Sequence, residues 1–184
     1  FNVERVEIAK GAADENGRGG AGGYVNIVSK TPSLTNFFNA NSSVAHSFQS
    51  GDPLFRQSFD VNRIIEMGDL AGTAFRLNTF FQEGGIPGRG NAENNSWGIA
   101  PSFTLGLGTP TSLNLSFLHT QSNDIPDFGV PAALIKGTLN YDSNTNERDT
   151  RNFYGTNRDY DDVTNSYFTA TLTHEFSQGG VLTN

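Results

Sequence analysis

Three arginines and three aromatic residues fall in two stretches of the chain that are predicted to be long loops. They are Arg89, Phe128, Arg151, Tyr154, Arg158 and Tyr160. A guanidinium group combines a permanent positive charge with a flat surface that stacks on aromatic rings. These side chains therefore suit an anionic, aromatic ligand. The alternative is a solvated loop whose aromatic rings pack against the loop itself or lie at a membrane interface.

The other reactive side chains form no recognisable catalytic or metal site. Acidic residues cluster at Asp142, Glu147, Asp149, Asp159, Asp161 and Asp162, but the twelve-residue calcium loop with its central Gly and final Glu is missing, which favours a solvated acidic loop. His46, His119 and His174 lie in separate segments without metal-ligand spacing. Neither G-x-S-x-G nor H-E-x-x-H occurs, and the chain has no Cys. We therefore predict neither an enzyme nor a resident cofactor.

A glycine-rich stretch at residues 17–22 matches the pattern G-x-G-x-x-G. A dinucleotide site requires that this pattern open a helix, whose N-terminus holds the pyrophosphate. Here an alternating strand pattern follows at residues 24–30, so we interpret the glycines as tight turns. The net charge of −7 also argues against a nucleic-acid partner.

The composition is unusual for a soluble domain. Charged residues make up 17% and hydrophobic residues 35%, whereas about 25% and about 45–50% are typical. Asn, Ser, Thr and Gly fill the difference, which suits a sheet with one apolar face and one wet, uncharged face. No apolar run approaches the ~18 residues of a membrane helix, so a membrane role would require strands.

Six long segments alternate apolar and polar residues with a period of two. They are residues 36–49, 54–66, 72–83, 96–107, 112–122 and 163–176. In the clearest of them, Trp97, Ile99 and Phe103 lie on one face. A soluble strand averages about 5–6 residues, whereas a tilted strand that crosses a bilayer needs about 9–11. Two shorter segments, 2–9 and 24–30, precede them, and Arg63 falls out of phase in the second long segment.

The connections between the long segments alternate in length. Those after the second, fourth and sixth are short (67–71, 108–111 and 177–180), and those after the third and fifth are long (84–95 and 123–162). Outer-membrane barrels have short periplasmic turns and longer outer loops. The link after the first segment, 50–53, is short and breaks this alternation.

Several motifs resemble one family in the same order along the whole chain. VERVEIAKG at 3–11, NGRG at 16–19 and GYVNIVSKTP at 23–32 are similar to the last part of the plug domain in TonB-dependent siderophore receptors. WGIAPS at 97–102 with GLGTPT at 106–111 resembles a barrel hairpin of these receptors. DIPDFGVP at 124–131, NFYG at 152–155 and NRDY at 157–160 are similar to the third outer loop of the catecholate-siderophore branch. Residues 12–16 depart from the family, in which many members carry Pro and a Leu-Tyr pair.

This resemblance implies an all-β fold in two parts. Residues 1–33 would be the C-terminal part of the plug, and residues 34–184 would be the first strands, about six, of a transmembrane antiparallel β-barrel. Six strands leave two open edges, which are costly in hydrocarbon. We therefore expect the chain to be a piece of a longer protein, to which the function belongs.

The resemblance also implies the function and its partners. The full-length protein would import a ferric siderophore, of catecholate type, through the outer membrane of a Gram-negative bacterium. Its partners would be the siderophore, the TonB energising complex and outer-membrane lipid. Iron would arrive already coordinated by the siderophore, so no metal ligands are expected in the protein.

Two basic plug residues are candidates for holding the plug in place. In the family, basic residues at the position of Lys10 pair with acidic residues of the barrel wall, which we expect beyond residue 184. Arg18 is the second candidate for this plug–barrel lock, although a hydrogen-bonding role within the glycine-rich turn is the more favoured interpretation.

Two other classes of protein remain as alternatives. One is a general porin or adhesin barrel without active transport, against which the glycine-rich segment at 11–23 argues. The other is a secreted β-sandwich binding protein, which would present polar outward faces. The regular Phe and Leu faces of this chain predict dependence on detergent instead.

Overall fold

The computed structural model describes residues 1–11, 22–48, 52–66, 68, 71–135, 152–156 and 158–184. These residues form nine β-strands and one 3-10 turn at Ala132–Leu134. The strands are β1 (Val3–Lys10), β2 (Gly23–Ser29), β3 (Phe37–Ala45), β4 (Leu54–Ile64), β5 (Ala74–Gly84), β6 (Ser96–Leu105), β7 (Thr111–Asp124), β8 (Asp161–Glu175) and β9 (Val181–Thr183). Within the described ranges, no helix is long and apolar enough to cross a membrane.

The strands form two separate antiparallel sheets. β1 and β2 form a hairpin, called here the N-terminal hairpin, in which Lys10 is opposite Gly23. The remaining strands form a seven-stranded sheet in chain order, β3 to β9, called here the wall sheet. Every wall strand is antiparallel to its neighbour. Consecutive antiparallel pairing is the topology of an up-and-down meander, as in membrane barrels.

The burial of the wall sheet is the reverse of that in a soluble sheet. On β5 and β6 the polar side chains of Asn78, Ser102 and Thr104 are buried, each less than 5% exposed. On the opposite face Phe81 and Trp97 are 46% and 41% exposed. A polar, covered face and an apolar, uncovered face are expected when the outer face meets lipid.

The outward apolar stretch shifts from strand to strand. It runs from Phe55 to Val61 on β4, over 75–81 on β5, over 113–117 on β7 and over 168–176 on β8. In the strand register its centre moves by one to two residues per strand toward the end that carries the short turns. With ~3.3 Å per residue and ~4.8 Å between strands, this shift corresponds to a strand tilt of roughly 45–50°. Transmembrane strands tilt by a similar amount.

The connections lie at two ends of the wall sheet. The turns after β4, β6 and β8 lie at one end, called the turn end, where Leu107 N–H donates a hydrogen bond of 2.8 Å to the carbonyl oxygen of Gly72. Gly72 has a φ of +69°, and a Cβ there would collide with the Leu107 backbone. The connections after β5 and β7 lie at the other end, the loop end, where bridges join Gly85 to Glu93 and Glu93 to Ile125.

The structure confirms the all-β fold and changes three details. β3 ends at Ala45, so the link to β4 covers residues 46–53 and is not a tight turn. This link lies at the loop end, and the expectation that it breaks the alternation was wrong. A short seventh wall strand, β9, pairs with the end of β8. Arg63 is exposed on the outward face, where it is opposite Phe75 at the turn end, and its charge lies beyond the apolar stretch.

Two arginine substitutions on the outward face of β7 test this orientation. Leu115 lies in the middle of the apolar stretch, and Gln121 lies on the same face six residues nearer the loop end. We expect Leu115→Arg to destabilise the full-length protein by about 2–4 kcal/mol and Gln121→Arg by about 0–1 kcal/mol. Reversible urea unfolding in lipid vesicles measures both values. Equal costs at the two positions would contradict the orientation.

Candidate functional site

The segment that follows the N-terminal hairpin lies against the inner face of the wall sheet. Asn62 on β4 is fully buried. Its side-chain amide makes the hydrogen bonds with this segment that a neighbouring strand's backbone would otherwise make. Its Oδ1 accepts a hydrogen bond from Ser33 N–H at 3.0 Å, and its Nδ2 donates to the carbonyl oxygens of Ser33 and Thr35 at 2.8 and 2.7 Å. One buried side chain therefore satisfies three backbone groups of an irregular segment.

Four charged side chains meet beside this anchor and are called here the charge cluster: Glu4, Lys30, Asp60 and Arg76. Arg76 on β5 binds Asp60 on β4 through two hydrogen bonds, Nε to Oδ1 at 2.9 Å and Nη2 to Oδ2 at 2.8 Å. Lys30 Nζ lies 2.9 Å from Asp60 Oδ2. Arg76 Nη1 lies 3.5 Å from Glu4 Oε2. Two positive and two negative charges balance, and the cluster joins the hairpin and its following segment to the wall.

Polar contacts and an aromatic ring complete the surroundings of the cluster. Arg76 Nη1 donates a hydrogen bond of 2.9 Å to the carbonyl oxygen of Thr31, and its guanidinium lies 5.1 Å from the centre of the Phe37 ring. Lys30 Nζ also donates to Asn78 Oδ1 at 3.1 Å. Arg76 thus contacts both the wall and the segment that crosses it.

The four ion-pair members differ in how much they should contribute to stability. The side chains of Arg76 and Asp60 are 11% and 13% exposed, whereas that of Glu4 is 50% exposed. Removal of one partner from a buried pair leaves an uncompensated charge and costs about 3–5 kcal/mol. An exposed pair contributes about 0–1 kcal/mol. Asp60 therefore matters most, because both Arg76 and Lys30 depend on it.

The members of this cluster were not among the site residues predicted from the sequence. Lys10 lies at the end of β1 and makes no ion pair among the described residues, and Arg18 lies outside them, so their predicted role in the plug–barrel lock stays a prediction. The ion pairs that reach the wall come from Glu4 of the hairpin and from Lys30, the residue after β2. A signal was present in the sequence, since Asp60 and Arg76 occupy inward positions of strands whose inner faces are mostly uncharged.

Two of the loop residues that we predicted to bind ligand lie side by side at the loop end. Arg89 Nε lies 2.8 Å from Asp127 Oδ2, in a pair whose side chains are 23% and 14% exposed. Asp127 Oδ1 also accepts a hydrogen bond of 2.9 Å from Gly129 N–H. Phe128, the next residue, is 76% exposed. The ion pair ties the connection after β5 to the connection after β7 and leaves an aromatic ring uncovered beside it.

The other predicted ligand residues precede β8. Asp159 accepts hydrogen bonds from the backbone N–H and the hydroxyl of Thr156, at 2.7 and 2.9 Å, which forms a tight turn around Arg158. Arg158 is exposed, Tyr160 is 76% exposed and Tyr154 is half-buried. Asp161 pairs with Asp124 of β7, so Tyr160 lies at the loop end of the wall sheet. Arg151 lies outside the described residues, and a joint site for the six side chains stays a prediction.

In the part of the chain that the structure describes, no group of three or more His, Cys, Asp or Glu side chains has an arrangement that could hold a metal ion. His119 Nδ1 is hydrogen-bonded to Ser166 Oγ at 2.9 Å, and its ring lies 5.0 Å from that of Trp97. His174 Nδ1 is hydrogen-bonded to Thr111 Oγ1 at 2.7 Å. These two histidines make local contacts between strands.

Comparisons with known proteins agree with this geometry. No family model matches the chain. Over its whole length, however, the chain is 35% identical to the catecholate siderophore receptor Fiu of Escherichia coli O157:H7, of which it spans 24%. It is also 33% identical over its whole length to the probable TonB-dependent siderophore receptor PiuA of Acinetobacter baumannii, of which it again spans 24%.

Solved structures of such receptors also match the fold of this chain. All of the chain aligns with 28% of the open form of the ferric-catecholate import receptor Fiu from E. coli K12, with a TM-score of 0.80 and 34% identity. The chain belongs to the TonB-dependent siderophore receptors. It spans about a quarter of the relatives it matches, and its all-β fold matches the plug and barrel regions of this family. These are outer-membrane proteins of Gram-negative bacteria, and the comparisons support no porin or adhesin.

Removal of the Asp60 charge tests the attachment of the N-terminal hairpin and the segment after it to the wall sheet. In the full-length receptor we expect Asp60→Asn to destabilise the contact by about 3–5 kcal/mol, because Arg76 and Lys30 then share no carboxylate. Thermal unfolding in detergent should show the loss, and cells should become sensitive to a large hydrophilic antibiotic that the outer membrane normally excludes. Glu83→Gln, which removes an exposed carboxylate from the outward face of β5, serves as the matched control.

A double substitution separates the charge cluster from general damage to the wall. If Lys30 acts through Asp60, Lys30→Met combined with Asp60→Asn should destabilise the receptor by less than the two single changes added together. Strict additivity would mean that the two residues act independently.

Proposed function

We propose that the full-length receptor carrying this chain imports a ferric siderophore across the outer membrane, with energy supplied through the TonB complex. The observation that carries the proposal is the segment fixed to the inner face of the wall sheet by the buried Asn62 and by the charge cluster. A general porin leaves its inner face open to water. A wall with a bound occluding segment suits a channel that opens on demand.

The size and charge of the cargo make an occluded barrel necessary. An iron–siderophore complex is too polar to cross ~30 Å of hydrocarbon, so it needs a wide barrel. A wide barrel encloses an aqueous channel and must be blocked when no cargo is present. The attachment must also be reversible. A few ion pairs suit this requirement, because only Glu4 of the hairpin and Lys30, which follows it, pair with charged residues of the wall.

We infer that the cargo is of the catecholate class. Ferric catecholates are anionic and carry flat aromatic rings, which guanidinium groups and exposed aromatic side chains can contact. Arg89 with Phe128, and Arg158 with Tyr160, supply both kinds of group at the loop end. The relatives Fiu and PiuA are named as siderophore receptors, and Fiu as a catecholate receptor.

The proposed receptor requires neither a cofactor nor a nucleic-acid partner. Iron enters as part of the cargo, so the protein needs no cofactor and performs no chemical reaction on the siderophore. Lipid contacts the outward Phe and Leu faces. The net charge of −7 gives no basis for a nucleic-acid partner.

Growth of an iron-starved strain tests the function and the ligand class together. The strain lacks its own siderophores and their receptors and carries the full-length gene. We expect ferric catecholates to restore growth and ferric hydroxamates not to, and we expect deletion of TonB to abolish the rescue. Rescue by hydroxamates alone would overturn the ligand class. Rescue without TonB would favour passive diffusion through a porin-like channel.

The loop arginines have a separate binding test. In the full-length receptor we expect Arg158→Gln to weaken binding of a ferric catecholate by roughly 3- to 30-fold, the range of a cation–π contact together with its charge. Arg89→Gln should weaken it as well, and Asp127→Asn should show how much of that effect comes from the ion pair between the loops. Titration against purified receptor measures the affinities, with Arg63→Gln at the turn end as control. Unchanged affinity in both arginine variants would remove them from the site.

A further inference from the structure

Strands β7 and β8 extend beyond the apolar stretch of the wall sheet at the loop end. They are 14 and 15 residues long, whereas β4, β5 and β6 have 11, 11 and 10 residues. Phe117 and Phe168 lie opposite each other on the outward face, and the next three outward pairs toward the loop end are polar. These pairs are His119 with Ser166, Gln121 with Thr164 and Asn123 with Asp162.

Side-chain hydrogen bonds hold most of these polar groups in defined positions. Gln121 Nε2 donates to Asn123 Oδ1 at 3.1 Å, and Asn123 Nδ2 donates to Asp162 Oδ1 at 3.0 Å. His119 Nδ1 is hydrogen-bonded to Ser166 Oγ at 2.9 Å. All three bonds lie at the exposed surface. Donors and acceptors that are oriented in advance lose less conformational entropy when they bind a partner.

An aromatic ring borders this polar row on the neighbouring strand. Trp97 of β6 is opposite Gln121 in the strand register. Its ring centre lies 5.0 Å from that of His119, and it is 41% exposed. The indole therefore presents a flat apolar surface beside amide, hydroxyl and carboxylate groups. Six residues of this surface are called here the outer band: Trp97, His119, Gln121, Asn123, Asp162 and Ser166.

The outer band lies where the acyl chains of the outer leaflet meet the headgroups, because the long loops of such barrels are extracellular. His119, Gln121 and Asn123 are four, six and eight residues nearer the loop end than Leu115, the middle of the apolar stretch. With ~3.3 Å per residue and a tilt of ~45°, they lie about 9, 14 and 19 Å from the membrane midplane. The apolar belt of an outer-membrane barrel is ~25 Å tall, so its upper edge falls between His119 and Gln121.

The chemistry of the outer band fits a sugar better than a phosphate. The band contains no Lys or Arg, the side chains that usually bind lipid phosphates, and Asp162 adds a negative charge. A sugar ring offers hydroxyl groups, which amides and carboxylates bind, and an apolar C–H face, which packs on an aromatic ring. The outer leaflet of a Gram-negative outer membrane is rich in glycolipid built on a glucosamine disaccharide.

We propose that the outer band binds the sugar headgroup of an outer-leaflet glycolipid. Trp97 packs against the face of the sugar ring, and Gln121, Asn123 and Asp162 bind its hydroxyl and amide groups. The acyl chains continue onto the apolar outward face of the same strands, which already contacts lipid. The site lies on the outer surface of the wall sheet, away from the path of the cargo, and it does not rest on the proposed import of a siderophore.

Binding of lipid A to the purified full-length receptor tests this site. Lipid A consists of a glucosamine disaccharide with acyl chains and phosphates. It is titrated into the receptor in detergent, and native mass spectrometry measures the fraction of receptor that carries it. We expect Asn123→Ala and Trp97→Leu each to weaken binding by about 2- to 10-fold, since each removes a hydrogen-bonding or packing contact. Lipid A without its phosphates should bind the wild-type receptor at least as well, because the outer band offers the phosphates no Lys or Arg.

Substitutions at the turn end serve as matched controls. Arg63→Gln and Phe75→Leu change a polar and an aromatic residue that are opposite each other at the other end of the sheet, and both should leave lipid A binding unchanged. Phosphatidylglycerol has a phosphate but no sugar ring, so it should bind the wild-type receptor and Asn123→Ala equally. Thermal unfolding without lipid A shows whether each variant is folded, and Asn123 is exposed, so its replacement should be tolerated.

Three outcomes would overturn the glycolipid site. Unchanged lipid A binding by both Asn123→Ala and Trp97→Leu would eliminate the outer band. Loss of binding on removal of the phosphates would assign the affinity to charge. Equal weakening of lipid A and phosphatidylglycerol binding would indicate a general lipid-facing surface. If instead the wild-type receptor imports no ferric siderophore while lipid A binding behaves as expected, the proposed function fails and this site stands.

Discussion

The reversed burial of the wall sheet, whose polar face is covered and whose apolar face is uncovered, is the constraint on which the rest of the structure depends. A strand that crosses a bilayer must present apolar side chains to lipid, and its backbone groups must find partners in neighbouring strands. The inner face is then free to carry polar and charged groups. Asp60, Arg76, Asn62 and Arg56 all lie on that face. In a soluble sheet, the same positions would face water or an apolar core. A charge cluster there would not bind a segment that crosses the sheet.

The charge cluster combines strength with reversibility. Asp60 and Arg76 lie on neighbouring strands of the wall and form the more buried pair, with two short hydrogen bonds. Lys30 and Glu4 contribute the contacts that cross to the plug side, and Glu4 is half exposed. The more buried pair thus lies within the wall itself, whereas the more exposed contact with Glu4 crosses to the N-terminal hairpin. Asn62 adds hydrogen bonds to backbone, which are short in range and are lost together when the segment is displaced.

The arginines of the wall sheet and its loops differ in whether an acidic side chain is paired with them. Arg76 is paired with Asp60 and Glu4, whereas Arg56 on β4 donates a hydrogen bond to Gln82 and lies over the Phe80 ring. At the loop end, Arg89 is held by Asp127, and Arg158 is exposed.

Local patterns in the sequence were sufficient to predict the strands, their inward and outward faces and most of the connections, because a period of two and a lipid-facing requirement act residue by residue. The out-of-phase Arg63 and the length of the link after β3 were harder to interpret, since strand ends depend on where the apolar belt crosses a tilted sheet. Lys10 and Arg18 remain the predicted candidates for a plug–barrel lock, whereas the sequence pattern did not indicate that Lys30 and Arg76 pair with Asp60. Residues 30, 60 and 76 come together only through strand register and through the path of the segment across the inner face. Contacts between residues so far apart in the chain depend on tertiary structure, because nothing in their local sequence specifies which side chains will meet.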